Sequence, residues 1–337
     1  MFKKKLKRLF IIFVLSIFVF SGVEIFLRLF FYLGYRLGLV DFFTFSYVST
    51  EMKSFGCGHD KLISHDSELI YKYLPNKRIL LKTDEYEHLI ETSDVGFGDI
   101  GFRDNGVSGK IFAVAVGDSI TACIGVEYEH CWVKILEDKI KADIINMGVG
   151  GYSSIQKKIL AFKYASKMSP KVLFFEINFS DPCDDFFFAN RKVFPVPHPL
   201  NSFIDQDIKD YFVSLVLLNF LVDYRTYNLD KRYREYYSKC NFGITLTIKS
   251  IEQVYEYFSK SEAKFILLVF HSNFFPKELR NYVFKDLKNR AHVIDLESDG
   301  LNMYYPKDGH LNQNGNEFVA EKIYRYLIEN HVIDFDD

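Results

Sequence analysis

From residue 111 onward, short apolar runs alternate with stretches of helical spacing, and this alternation restricts the chain to few folds. Residues 111–116, 143–147 and 172–177 read as buried strands, the last continuously apolar as a parallel strand covered on both faces has to be. Between them, residues 132–141 place Trp132, Ile135, Leu136 and Ile140 on one helical face, and a second helix over 155–168 ends before Ser169-Pro170. The pattern resumes with a helix over 246–259, a strand over 265–270, a helix over 277–289, a strand over 292–296 and a last helix over 314–329. Strands spaced by helices predict an α/β fold with a mainly parallel sheet and right-handed crossovers. Ligands of such sheets bind beyond the carboxyl ends of the strands, and Ser119, Gly151, Ser180 and His310 all fall at such ends. No internal repeat is evident.

The 337 residues are 48% hydrophobic, enough for a substantial core. With 42 Lys and Arg against 44 Asp and Glu, the charge balance gives no sign of a nucleic-acid surface. The N-terminus differs. Met-Phe-Lys-Lys-Lys-Leu-Lys-Arg precedes an uncharged apolar run over 9–23, and Glu24 and Arg28 interrupt its continuation to Tyr35. The uninterrupted run is shorter than the roughly 20 residues of a typical span, but with the continuation a tilted helix crosses with its charges near the interface. Residues 1–37 are therefore expected to be a membrane anchor with a cytoplasmic N-terminus, everything after it being exported. The alternatives are a cleaved signal peptide, with Val19 and Ser21 before the cut, and a non-spanning amphipathic anchor. Apolar character persisting past any cut site favours the anchor.

Residues 38–105 lack strong periodicity and read as a lead-in of loops and short strands, with turns at Gly56-Cys-Gly58, Pro75-Asn76 and Gly96-Phe-Gly98. The main domain spans 106–337 with an insertion at about 183–243. That insertion contains Phe186-Phe-Phe188, Pro195, Pro197 and Pro199, an apolar segment over 211–222 and a charged one over 230–239. Cys57, Cys123, Cys131, Cys183 and Cys240 form no CxxC pair, which argues against structural zinc. An exported domain permits a disulfide, but most of these cysteines are expected to be small buried apolar residues.

A serine hydroxyl becomes a nucleophile only with a base to take its proton and a partner to orient that base. Gly117-Asp118-Ser119 closes the first strand, before an expected helical stretch, placing Ser119 at a tight turn with exposed backbone N–H groups. The plainer reading is that Asp118 or Ser119 caps the following helix. Asp308-Gly309-His310 lies near the far end of the chain. Residues i and i+2 of an extended segment share a side, so Asp308 can orient the His310 imidazole; the plainer reading is a surface turn. Asn146-Met-Gly-Val-Gly-Gly151 offers amides for an oxyanion. Gly148-x-Gly150-x-x-Ser153 lacks the last glycine of a dinucleotide fingerprint, and no Gly-Lys-Ser/Thr is present. Asp181, Asp184 and Asp185 read as acidic loop residues, because no histidine stands at metal-ligand spacing beside them. No metal or organic cofactor is expected.

Together these blocks resemble the SGNH (GDSL-type) hydrolase superfamily: Gly117-Asp118-Ser119 its first block, the run ending at Gly151 its second, and Asp308-Gly309-His310-Leu311-Asn312 its last. Gly101-Phe102-Arg103-Asp104, and Trp132 after Gly125-Val126, resemble a bacterial subgroup with an N-terminal membrane helix. The resemblance implies a flavodoxin-like three-layer α/β/α sandwich, Ser119 as nucleophile, His310 as base and Asp308 as its orienting acid. It also implies an oxyanion hole from the Ser119 and Gly151 amides. The third block departs from the pattern: Ser180 stands where an asparagine donor is usual, and Asn178, two positions earlier, is the alternative donor. Asp and His are two apart rather than the three of many members, a spacing found in polysaccharide-acetylating relatives. The implied activity is a serine esterase acting on acyl or acetyl groups of glycans or lipids. An O-acyltransferase modifying an envelope polysaccharide and a non-catalytic surface-binding relative are the alternatives.

Overall fold

The computed structural model describes residues 62–83, 85–107, 109–189, 240–270, 275–297, 302–306 and 308–332, with scattered positions between 11 and 26. Most of the anchor, Cys57, the prolines at 195, 197 and 199, and the segments over 211–222 and 230–239 lie outside the described residues. The chain divides into two units, Met1–His59 with Pro195–Glu235, and Asp60–Phe194 with Tyr236–Asp337. In the first, the described positions between 11 and 26 are helical, with Ile11, Ile12, Leu15, Phe18 and Val19 exposed. Among the described residues no helix is long and apolar enough to cross a membrane.

The second unit begins with two antiparallel hairpins where loops and short strands were expected. Strand β1 (Ile63–Asp66) pairs with β2 (Ile70–Tyr73), and β3 (Arg78–Lys82) with β4 (Glu87–Glu91). Then follow β5 (Ile111–Gly117), α1 (Trp132–Ile140), β6 (Asp143–Gly148), α2 (Ser154–Lys163), β7 (Val172–Asn178) and α3 (Asp181–Ala189). The chain continues with α4 (Asn241–Phe258), β8 (Lys264–Phe270), α5 (Lys277–Asn281), β9 (His292–Asp295) and α6 (Gln313–Glu329). The five later strands form one parallel sheet in the order β6-β5-β7-β8-β9. This is the doubly wound order whose direction of winding reverses between β5 and β7.

Period-two alternation assigns each strand's side chains to opposite layers. Val114, Val116, Leu173, Phe175 and Ile177 pack with Leu160, Ile251 and Val254 on the α2–α4 side, where the hairpins add Leu69, Tyr73, Ile79 and Ile90. Ala113, Ala115, Val172 and Phe174 pack with Trp132, Leu136, Val319, Ile323 and Leu327 on the α1–α6 side. The sheet is thus covered on both faces, and its continuously apolar strands follow from that.

Three expectations change. The helix expected over 155–168 stops at Lys163, and a separate turn, Ala165–Met168, leads to a left-handed Ser169 before Pro170. Helix continues through Phe186 and Phe188 in α3, and α4 starts five residues earlier than expected, at Asn241. The four described cysteines are not free thiols: Cys123–Cys131 and Cys183–Cys240 are disulfides, with Cα–Cα distances of 5.3 and 4.5 Å. The turn after β5 brings the first pair together, and packing of α3 on α4 the second, which spacing along the chain does not reveal.

Candidate active site

Ser119 lies just past the carboxyl end of β5, and Asn178 to Ser180 lie at the carboxyl end of β7, where the winding reverses and a doubly wound sheet opens a crevice. The stretch after Ser119 is not the expected helix. It is a compact turn closed by Ala122 N–H on Asp118 O (2.8 Å) and Ile124 N–H on Ser119 O (3.0 Å). The Asp118 carboxylate accepts from Ile120 N–H at 2.9 Å and so braces this turn rather than a helix end. The buried Arg103 guanidinium donates to the carbonyls of Leu89, Ala122, Cys123 and Val126, tying the turn to the hairpins. Burial lowers that guanidinium to about 10, still charged at neutral pH.

The second block lies against this turn. A Cβ at Gly148 would stand 2.1 Å from Ala122 N, so only glycine lets the two backbones approach. A Cβ at Gly150 would stand 3.8 Å from Ser119 Cβ, which places the 150–151 loop beside Ser119. Gly151 has φ +76°, a left-handed conformation that turns the loop back into Ser153, the N-cap of α2. Two tyrosines of β2 hold the loop from outside: Tyr71 donates to Gly150 O at 2.6 Å, and Tyr73 accepts from Gly150 N–H at 3.0 Å.

Beneath Ser119 lies a buried ionic cluster. Lys157 of α2, wholly inaccessible, reaches Asp181 at 2.9 Å, Glu176 at 3.3 Å and Asp118 at 3.5 Å. Glu176 also accepts from Asp118 N–H at 2.9 Å. Burial works to lower the Lys157 ammonium, but the carboxylates around it hold it above its ordinary value. Burial, reinforced by Asp118, raises Glu176 to about 7, and burial raises Asp181 well above the carboxylate range. Asp181, Asp184 and Asp185 are not the acidic loop residues expected from sequence but members of α3; Asp181 and Asp185 are fully buried, Asp185 accepting from Thr247 at 2.6 Å and Ile155 N–H at 2.8 Å. Among the described residues no group of three or more His, Cys, Asp or Glu is arranged to hold a metal ion.

The two candidate side-chain oxyanion donors face this cluster. Asn178 donates its amide to Asp118 (2.5 Å) and Glu176 (3.2 Å), and the Ser180 hydroxyl donates to Asp184 (2.6 Å). Burial raises Asp184 to about 7.

Asp308 and His310 are together. His310 Nδ1 lies 2.5 Å from Asp308 Oδ2, in a loop closed by Tyr305 N–H on His310 O and Gly309 N–H on Tyr305 O, both at 2.9 Å. This loop meets the one carrying Ser119: the Tyr305 hydroxyl donates to Gly125 O at 2.8 Å, and Gly125 N–H approaches His88 Nε2 at 3.5 Å. Burial, then the Arg103 charge, lowers His88 to about 3, so it is neutral beside His310. From the other hairpin turn, Tyr86 donates to Asp308 Oδ2 at 2.9 Å and Glu85 accepts from Asp308 N–H at 2.7 Å. Burial works to raise Asp308, but His310 and the Tyr86 hydroxyl hold it below its ordinary value. Sequence reading missed Tyr71, Tyr73, Glu85, Tyr86 and Lys157; the period-two pair Tyr71-x-Tyr73 was the one local hint. A cavity of about 460 Å³ at the β9 edge, lined by Val293, Asp295, Lys322 and Tyr326 among others, shares no residue with this site.

No protein-family model matches the chain, and no curated protein does. Solved structures with a similar arrangement include the psychrotrophic esterase EstA from Pseudoalteromonas, at 14% identity over 65% of this chain and 98% of that one, TM-score 0.42. A lipase/acylhydrolase from Enterococcus faecalis matches at 13% identity over 65% and 96%, TM-score 0.40. The acetyl xylan esterase AlAXEase matches at 16% over 64% and 100%, TM-score 0.39.

Proposed function

We propose that the chain is a serine ester hydrolase of the SGNH type, acting on acyl or acetyl groups of a glycan or lipid outside the cytoplasm. The single observation that carries this reading is the Asp308–His310 hydrogen bond on a loop bonded to the turn that follows Ser119. In this mechanism Ser119 Oγ attacks the ester carbonyl while His310 takes its proton, and Asp308 stabilises the imidazolium that forms. His310 returns the proton to the departing alkoxide, and water repeats the sequence to release the acid. The tetrahedral oxyanion is held by the amides of Ser119 and Gly151, because Asn178 and the Ser180 hydroxyl already donate to carboxylates. Without a full amide donor in the third block, turnover is expected to be slower by about 10²–10³-fold than with one.

Two disulfides support an oxidising compartment for this domain. The basic N-terminal cluster and the exposed apolar side chains between 11 and 26 support retention at the membrane. The deciding experiment is labelling by a fluorophosphonate together with hydrolysis of a chromogenic acetyl ester. Wild type is expected to label and turn over, and Ser119→Ala to lose both, at least about 10³-fold in kcat. A folded, exported wild type that neither labels nor hydrolyses overturns the reading. Product analysis with and without a glycan acceptor separates hydrolysis from transfer.

A further inference from the structure

We propose that Tyr86, in the hairpin ahead of the main domain, is a positioning residue for the acid of the triad; this rests on the reading of Ser119, His310 and Asp308 given above. The Tyr86 hydroxyl donates at 2.9 Å to Asp308 Oδ2, the same oxygen that faces His310 Nδ1 at 2.5 Å. A carboxylate hydrogen-bonded on one side alone can pivot about its Cβ–Cγ bond. Two donors converging on one oxygen from different elements, with Glu85 accepting from the Asp308 amide, fix the plane of the group and hence the tilt of the imidazole.

The tyrosine is itself held. Its ring packs on Tyr305 at 4.8 Å between centroids and on His88 at 5.4 Å, and its backbone carbonyl receives Thr83 N–H at 2.8 Å. Burial, then the Asp308 charge, raises the phenol above its ordinary value, so at neutral pH it acts as a donor only. Among the described residues, the ionisable groups facing Asp308 and His310 are Glu85, Tyr86 and His88 from the hairpin and Tyr305 from their own loop. Of these, Tyr86 alone among the described residues donates a side-chain hydrogen to the carboxylate besides His310.

Removing this donor has a signed consequence. With one hydrogen bond fewer, the Asp308 carboxylate concentrates its charge on His310 and stabilises the imidazolium more strongly. Looser orientation lowers turnover at the same time. In Tyr86→Phe, which keeps the ring and its packing, the acidic limb of kcat/KM for acetyl-ester hydrolysis is expected to move up by about 0.5 pH unit. Its kcat is expected to fall roughly 5–20-fold with KM nearly unchanged. Tyr305→Phe, which removes the bond to Gly125 O and none to the triad, is expected to leave the limb in place. An active wild type with a Tyr86→Phe profile superimposable on its own, and kcat within twofold, overturns the assignment of Tyr86 and leaves the triad standing. A wild type inert to ester and fluorophosphonate overturns the triad, and Tyr86 with it.

Discussion

The loops carrying Ser119 and His310 are held in opposite ways. Ser119 follows an interior strand of the sheet, and its turn rests on a lysine and carboxylates from which water is excluded. The Asp308 and His310 side chains keep 29% and 26% of their accessibility, and their loop is propped by hydrogen bonds from a hairpin. Damage beneath Ser119 should therefore appear as loss of the fold, whereas damage around His310 should appear as altered kinetics in a folded protein. The Ser119 turn is secured by the core, the His310 loop by an accessory segment.

The strongest way to break this comparison is Lys157→Met. Deleting the cation leaves the carboxylate charge shared among Asp118, Glu176 and Asp181 buried without its partner, a change that typically costs about 3–5 kcal/mol. Loss of soluble, cooperatively folding protein is expected, measured by yield and thermal denaturation; a variant melting within a few degrees of wild type means the lysine balances no buried carboxylate charge. Next in size is the Cys123–Cys131 disulfide, whose partners are eight residues apart in sequence. Closing so short a loop is worth roughly 2.5 kcal/mol by chain entropy. The double Ser variant is expected to melt lower and to lose activity, since the bond spans the turn next to Ser119. Equal activity at a temperature where the variant is fully folded would show that Arg103 alone suffices to hold the turn.

What the sequence made legible follows from pattern length. Strands β5, β7 and β8 are buried on both faces, so runs such as residues 172–177 announce them, and the turns at their ends fall into place. Asp308 and His310 were legible because their relation is local. Tyr71 and Tyr86 were not: they sit on hairpin strands or turns too short for periodicity and bond partners 79 and 222 residues away. Lys157 and Asp181 were hidden for another reason. Charged residues are rarely inside, so an isolated lysine in a helix and an aspartate after a strand read as solvated until packing brings them together. The disulfide partners were hidden likewise, because the fold and not the spacing sets which thiols meet.

The smallest predicted effect sharpens the comparison most, because the two sides carry pH dependences of opposite sign. Glu176 and Asp184 titrate near 7 in the fold, above their ordinary values, so the native state binds protons that the unfolded chain has released. Their contribution to stability is complete below about pH 4 and is lost as pH rises through 7. His88, lowered to about 3, does the reverse: its contribution is complete above about pH 6.5 and is lost as pH falls toward 3. Asp308, held below its ordinary value, acts in the same direction as His88. Glu176→Gln, which fixes the neutral form, is expected to flatten the fall in Tm between pH 5 and 8 by a few degrees (about 2–4 °C per kcal/mol for a domain of this size). His88→Gln, which keeps an acceptor for Gly125 N–H, is expected to flatten the fall between pH 7 and 4 and to leave the alkaline side alone. If Glu176→Gln leaves the slope from pH 5 to 8 unchanged, the cluster under Ser119 is already fully ionised in the native state. Its lysine would then balance more charge than burial of that depth should allow.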